Sequence, residues 1–329
     1  MHTGKKYRVG EFLLWTRRNV YWLLVVAAVP TVLYEGLGWK WLAIPWTTVA
    51  MLGTATAFIV GFKNNATYNR TWEARQIWGS IVNSSRTWGI MVRDFVRTDD
   101  GEIHRQLIYR HIAWLTALRF QLRESRNWEN TAKPYNAEYL KFYTIPERES
   151  KLEEELKPYL SPEEQTYILG KKNRATQLIA LQSKHLRQLE EQGLLENYRY
   201  IEMETVLGAF YEHQGKSERI KNFPYPRQFA SINMYFIRLF AVLLPFGLFA
   251  EFEKFGEHGV WLVIPFSTLI SWVFTSLEQV GESTENPFEG SPNDIPITSM
   301  SRTIEIDLRD MLDEKDLPPA LQPVNNILM

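Results

Sequence analysis

Four stretches of the chain are apolar enough and long enough to be read as membrane-crossing helices. They cover residues 19–34, 42–62, 232–249 and 260–277. A transmembrane helix needs roughly 20 mostly apolar residues. The connections within each pair are short, so residues 19–62 and 231–279 are each expected to form a transmembrane hairpin. The pattern therefore predicts an all-α integral membrane protein with four transmembrane helices.

Between the hairpins the pattern changes to that of a water-exposed helical domain at residues 63–230. Residues 105–123 and 176–192 show the 3.6-residue periodicity of amphipathic helices. Ser161 followed by Pro162 is typical of a helix start. The last segment, residues 280–329, begins with turn formers and continues with a predicted helix at 300–312 and an irregular tail.

Lysine and arginine near the ends of the spans predict the orientation. The two hairpin tips hold only Lys40 and Lys254 against several glutamates. The cations next to the other ends are Arg17, Arg18, Lys63, Arg70, Arg75, Lys216, Arg219, Lys221 and Arg227. Because cytoplasmic loops are enriched in these residues, we expect residues 1–18, 63–230 and 280–329 to lie in the cytoplasm, with both termini there.

Composition agrees with a chain that is partly membrane and partly aqueous. Aromatic residues make up 14% and gather around the apolar runs, as in interfacial belts, while the mean hydropathy of −0.27 requires a large aqueous part. A net charge of −1 gives no basis for nucleic-acid binding. Cysteine is absent, which excludes thiolate chemistry. Without a zinc-protease or phosphate-loop motif, we expect no enzyme activity.

The second span carries an unusual stripe. Spacing at i, i+4 and i+8 places Thr54, Phe58 and Phe62 on one helix face, flanked by small residues. Around an axis shared by several copies, this stripe would form a narrow hydrophobic pore neck that gates by wetting and dewetting. The alternative is an ordinary helix contact inside one subunit, the usual role of aromatic stripes.

Polar residues begin abruptly after the stripe. Lys63, Asn65, Asn69, Arg70 and Glu73 would line a hydrated vestibule below the neck, or simply face the cytosol. Asparagine is a poor helix former, so its repetition here favours the vestibule.

The third span contains one charged residue, Arg238, about two turns from its start. An arginine inside a membrane is costly unless it is paired or reaches the interface. We expect an ion pair rather than a permeation role, with Glu278 or Glu282 as the partner.

Several segments resemble the bacterial bestrophin family. The segment at residues 61–75, with Trp78 and Gly79 behind it, resembles the family's signature after the second span. Residues 215–226, 235–240, 244–246 and 285–288 match further segments in the family's order. The resemblance covers most of the chain.

The resemblance implies a homopentamer around one central pore in the bacterial inner membrane, with four membrane helices and a cytosolic helical bundle in each subunit. It places the neck on Thr54, Phe58 and Phe62, in agreement with the spacing, and a cytosolic aperture near Met203. The partners it implies are further copies of the chain, the lipid bilayer and small permeating ions.

Two departures from the family's pattern affect these expectations. Residues 289–294 keep few carboxylates for a cation that takes 6 to 8 oxygen ligands, so we expect neither the calcium clasp of animal members nor another cofactor. Thr54 stands where an aliphatic neck residue is expected.

The function expected from these features is that of a passive channel for chloride and other small anions. Phenylalanine edges carry positive potential, and Lys63 adds positive charge if it faces the vestibule. A sodium or potassium channel on the same fold and a non-conducting membrane scaffold are the alternatives.

Overall fold

The structure, a computed structural model, describes residues 1–256 and 258–329. Its regular elements in those residues are helices, apart from isolated bridges that Ile327 forms with His2 and Val324. The α-helices of the described residues are α1 (Val9–Gly36), α2 (Trp46–Phe95), α3 (Gly101–Arg123), α4 (Pro134–Tyr139), α5 (Pro146–Glu149), α6 (Leu152–Leu156), α7 (Pro162–Leu169), α8 (Arg174–Glu191), α9 (Asn197–Asn222), α10 (Arg227–Glu253), α11 (Val263–Ser283) and α12 (Ile297–Asp310). Short 3₁₀ turns occur at Lys40–Leu42, Leu140–Phe142 and Gly259–Leu262.

Two compact units make up the chain. The membrane unit consists of Gly4–Arg70 and Pro224–Glu285. The helical unit consists of Met1–Thr3, Thr71–Phe223 and Asn286–Met329. Residues 46–70 of α2 belong to the membrane unit and residues 71–95 to the helical unit.

Four helices of the described chain are long and apolar enough to cross a membrane: α1, α10, α11 with the turn before it, and α2 with the turn before it. The prediction of an all-α chain with four membrane helices is confirmed. The helices extend beyond the apolar stretches; α1, for example, begins at Val9 rather than at residue 19. Helical backbone bonding continues past the apolar residues because it does not depend on burial in lipid.

Glycines bring the helices of the membrane unit close together. A Cβ atom at Gly53 of α2 would lie 2.8 Å from Cε2 of Phe240 on α10, and one at Gly247 of α10 would lie 2.6 Å from Cγ2 of Val49. Between α1 and α11, the Trp272 indole donates a 3.0 Å hydrogen bond to the Thr16 hydroxyl. Small residues and interhelical hydrogen bonds are the contacts that hold membrane helices together, since lipid removes the hydrophobic driving force.

The helical unit is organised around α3, which is buried along most of its length and packs against α8, α9 and α12. The predicted helices at 105–123, 176–192 and 300–312 are found as α3, α8 and α12, with ends shifted by a few residues. Ser161 caps α7 as predicted, because its hydroxyl accepts a hydrogen bond from the Glu164 amide at 3.2 Å.

Candidate pore-lining site

In the membrane unit, α2 has two different faces. Its buried face recurs every three or four residues, at Gly53, Thr56, Val60, Lys63 and Thr67. The other face is exposed and contains Thr54, Phe58, Phe62 and Asn65. The 3.6-residue period of the helix keeps the two sets apart.

The two phenylalanines of the stripe are not packed inside their unit. Phe58 is 65% exposed and Phe62 is 70% exposed. Their ring centroids lie 6.4 Å apart with the planes tilted by 35°. The alternative of an ordinary contact inside one subunit is therefore wrong for both rings, and the stripe faces lipid, water or another copy of the chain.

Thr54 directs its hydroxyl proton into its own helix. The Thr54 Oγ1 donates to the carbonyl oxygen of Ala50 at 2.9 Å. A hydroxyl bonded back to the helix offers no proton to a passing ion or water molecule. The exposed face at Thr54 is consequently less polar than the residue type suggests.

The prediction that Lys63 faces an open vestibule is wrong. Its side chain is only 2% exposed, and its ammonium forms an ion pair with Glu278 of α11, which is 12% exposed. One residue advances a helix by about 100°, so Lys63 turns away from the stripe that contains Phe62. The pair neutralises Lys63 inside the unit.

Helices α2 and α11 approach each other closely near the pair of Lys63 and Glu278. A Cβ atom at Gly281 of α11 would lie 2.2 Å from Oδ1 of Asn64. The Asn64 side chain thus occupies the space that a side chain at position 281 would need.

The remaining predicted vestibule residues differ from one another. In the membrane unit, Asn65 and Asn69 are exposed and Arg70 is partly buried. In the helical unit, the Glu73 carboxylate accepts a hydrogen bond from Arg219 of α9 in an ion pair. Arg75 is exposed on that unit. Glu73 therefore brings a compensated charge, whereas Asn65 and Asn69 keep the exposure that a vestibule requires.

Met203 does not occupy an exposed position. It is 0% exposed and belongs to the hydrophobic core of the helical unit, because Met203, Leu207 and Phe210 form the buried stripe of α9. Ile201 lies outside that stripe and is 51% exposed. The offset of two residues from the buried stripe places Ile201 on a different face of α9 from Met203.

Arg238 does not form the expected ion pair. Its side chain is exposed on α10, and among the described residues no carboxylate pairs with it. Glu278, the first candidate partner, is taken by Lys63.

The segment after α11 does not fit a calcium ion. Asp294 pairs with Arg123 at 3.0 Å, each side chain 1% exposed, and also accepts a hydrogen bond from the Gly290 amide at 2.6 Å. Burial, with Asp294 close by, raises the pKa of Glu289 to about 8, which leaves that carboxyl protonated at neutral pH. One carboxylate already neutralised by a guanidinium and one uncharged carboxyl are a poor donor set for Ca²⁺. No cluster of three or more metal-ligating His or acidic residues occurs in the part of the chain that the structure describes.

Comparison with known proteins relates this chain to a family of membrane proteins. A sequence profile of the family described as Bacterial/Fungal Bestrophin protein matches residues 13–310. The voltage-dependent anion channel-forming protein YneE of Escherichia coli (strain K12) is 29% identical over 292 residues, which are 88% of this chain and 83% of YneE. The voltage-dependent anion channel-forming protein RSc3414 of Ralstonia nicotianae is 26% identical over 272 residues, 82% of this chain and 78% of RSc3414.

A comparison of folds agrees with the comparison of sequences. The crystal structure of a bacterial bestrophin homolog from Klebsiella pneumoniae superposes with a TM-score of 0.75 at 26% identity, covering 92% of this chain and 99% of that one. A matching profile over most of the length and a shared fold give the same answer: the chain belongs to the family of bacterial and fungal bestrophin proteins.

Proposed function

We propose that the protein is a passive ion channel that conducts chloride and other small anions, with Thr54, Phe58 and Phe62 as its neck. The observation that carries the proposal is the exposed stripe on α2, where two phenylalanines remain unpacked beside a buried face. The relatives YneE and RSc3414 bear the name of anion channel-forming proteins. No catalytic chemistry and no metal cofactor enter this proposal.

Five copies around one axis would turn the exposed stripes into rings. Phenylalanine rings at a narrow axis repel water, so the neck would conduct when wet and close when dry. Below it, Asn65 and Asn69 would line a hydrated vestibule. The bestrophin resemblance supports the number five, and the distribution of lysine and arginine supports both termini in the cytoplasm of a bacterial inner membrane.

Anion preference in this proposal rests on ring edges rather than on Lys63. The Lys63 charge is neutralised by Glu278, and the Glu73 charge by Arg219. Crowded phenylalanine rings present their positive edges to the axis. The arrangement favours chloride over sodium.

A second narrowing is proposed at Ile201 instead of Met203. Ile201 is apolar and exposed, whereas Met203 is enclosed in the core. A ring of Ile201 side chains would form the cytosolic aperture.

Chloride flux from liposomes tests the proposal. Purified protein should release chloride in proportion to the amount reconstituted, and Phe58→Ala should increase the rate because it widens the neck. Phe266→Ala is the matched control, since this exposed phenylalanine lies on α11 rather than on the stripe; its flux should equal that of the unmodified protein. A folded oligomer without flux would support the scaffold alternative, and sodium flux without chloride flux would support the cation channel.

A further inference from the structure

Arg238 is a charged side chain on the surface of an apolar helix. It lies in α10 between the apolar runs on either side and is exposed. A charge that faces hydrocarbon costs several kcal/mol unless water or an anion reaches it. Among the described residues no carboxylate forms an ion pair with Arg238, and the Glu278 carboxylate is engaged by Lys63.

A cavity of about 370 Å³ opens beside Arg238, between α1, α10 and α11. It is lined by Asn19, Trp22, Met234, Ile237, Arg238 and Thr275, and none of these six residues is acidic. The wall formed by Trp22, Met234 and Ile237 is mostly apolar, and the donors lie at Arg238 and Asn19. A binding site for an amphiphile requires this combination.

Contacts inside the unit leave some hydrogen-bond donors of the cavity unused. One amide hydrogen of Asn19 bonds to Oε1 of Gln279 at 3.0 Å, which leaves the second. Thr275 donates its hydroxyl to the Ser271 carbonyl at 3.0 Å. The guanidinium of Arg238 and the second amide hydrogen of Asn19 therefore remain for a ligand.

The cavity lies at the polar boundary of two of its three helices. Asn19 is the first residue of the stretch at 19–34 of α1, and Glu278 lies three residues after Thr275 in α11. Trp22 has the amphipathic character of residues that collect at this depth. Arginine also extends its charged end toward the interface while its stem stays in apolar surroundings. The phosphates of one lipid leaflet are expected at such a polar boundary.

We propose that this cavity binds the phosphate of an anionic phospholipid, with the Arg238 guanidinium and the Asn19 amide as donors. Guanidinium groups bind phosphate oxygens with two parallel hydrogen bonds. The acyl chain lies along the apolar wall. A lipid with a net negative charge is required, because the ammonium group of a zwitterionic headgroup competes with Arg238 for the same phosphate.

Native mass spectrometry of the protein after equilibration with phosphatidylglycerol vesicles tests the proposal without reference to conduction. The unmodified protein should retain phosphatidylglycerol in preference to phosphatidylcholine, and Arg238→Gln should retain several-fold less. Arg238→Lys should be intermediate, because an ammonium is a point charge without the paired geometry. Arg18→Gln, a change at an exposed cation of the same end of α1, should retain as much as the unmodified protein.

Three results would overturn the lipid site. Equal retention in Arg238→Gln and the unmodified protein is one. Displacement of the lipid by inorganic phosphate is another, since it would indicate a site for a soluble anion. If Arg238→Gln fails to assemble, a cryo-EM reconstruction of the unmodified protein in phosphatidylglycerol nanodiscs decides: lipid density at Arg238 supports the site, and a carboxylate of a neighbouring copy at that position contradicts it.

Discussion

Two groups of aromatic rings in this protein have similar spacing and opposite surroundings. The Phe58 and Phe62 centroids lie 6.4 Å apart on an exposed face. In the helical unit, the Phe210 centroid lies 5.0 Å from Trp114 and 6.4 Å from Trp88, and all three rings are buried. Ring spacing alone therefore does not distinguish a core from a pore lining.

The chemistry around the buried group agrees with its role as a core. Burial lowers the pKa of His111, which packs against Phe210, to about 3, so this imidazole is neutral at physiological pH. The Trp114 indole donates a 3.0 Å hydrogen bond to Gln214. In this cluster His111 is thus neutral and the Trp114 indole is paired, whereas the exposed stripe offers only rings and a threonine bonded to its own helix. What surrounds a ring, rather than the ring itself, determines what it does.

Truncation of one ring from each group should separate them most strongly. Phe210→Ala should cost about 3 to 5 kcal/mol in the free energy of unfolding, because it leaves a cavity in a closed core. Phe58→Ala should change that free energy by less than about 1 kcal/mol. Thermal unfolding in detergent measures both. Equal losses would show that Phe58 is packed and would remove the stripe from the pore.

A second test compares a buried ion pair with an exposed one. Lys63→Met leaves Glu278 buried without its partner, which should cost about 3 kcal/mol of stability. The double variant Lys63→Met with Glu278→Leu should recover most of that loss. Lys254→Met is the control, because the Lys254–Glu251 pair is exposed and worth less than about 1 kcal/mol. Equal melting temperatures for Lys63→Met and the unmodified protein would place Lys63 in solvent after all.

The pH dependence of stability should reveal the protonation of Glu289, a buried carboxyl of the helical unit. The pKa of Glu289 is about 8 in the folded protein against 4.5 for an ordinary glutamate. The folded state therefore binds the proton more tightly, and stability should fall as pH rises through this window, by at most about 1.4 kcal/mol per pH unit. Above the folded pKa the loss should level off.

Glu289→Gln is the matched variant, since its amide keeps the neutral form at every pH. Its melting temperature should lack the component that falls between pH 4.5 and 8. Parallel profiles for the two proteins would mean that Glu289 is ionised throughout.

The smallest change in conductance is expected at Thr54, the first residue of the stripe. Thr54→Val removes a hydroxyl that already donates to Ala50, so single-channel conductance should stay within about twofold of the unmodified value. Phe62→Ala, two turns further along the same face, should raise conductance clearly above that range. A Thr54→Val channel that loses conductance would show that the hydroxyl serves the permeating ion.

The membrane helices and the stripe are predictable because each depends on the order of apolar and polar residues along the chain. Apolar length defines the spans, and the spacing of Thr54, Phe58 and Phe62 defines a face. Partners of charged residues are harder to predict: the sequence places Lys63 in the vestibule and pairs Arg238 with Glu278 or Glu282, whereas the structure pairs Lys63 with Glu278. Lys63 and Arg238 could each pair with Glu278 or Glu282. The rotation of α2, α10 and α11 about their axes decides which pair forms, and the residue pattern does not give that rotation.

Met203 illustrates a second kind of failure. The resemblance places the aperture near Met203 without fixing the residue, and on a helix a shift of two residues exchanges the buried Met203 for the exposed Ile201.

In the proposed channel, chloride passes a neck formed by the exposed stripe of α2. Reversal potentials of purified protein in planar bilayers under a NaCl gradient, recorded for the unmodified channel and for Phe58→Ala, test it most directly. We predict reversal near the chloride equilibrium potential for both proteins, with a larger conductance in Phe58→Ala. Reversal near the sodium equilibrium potential would show a cation channel, and a conductance that Phe58→Ala leaves unchanged would show that the stripe does not form the neck.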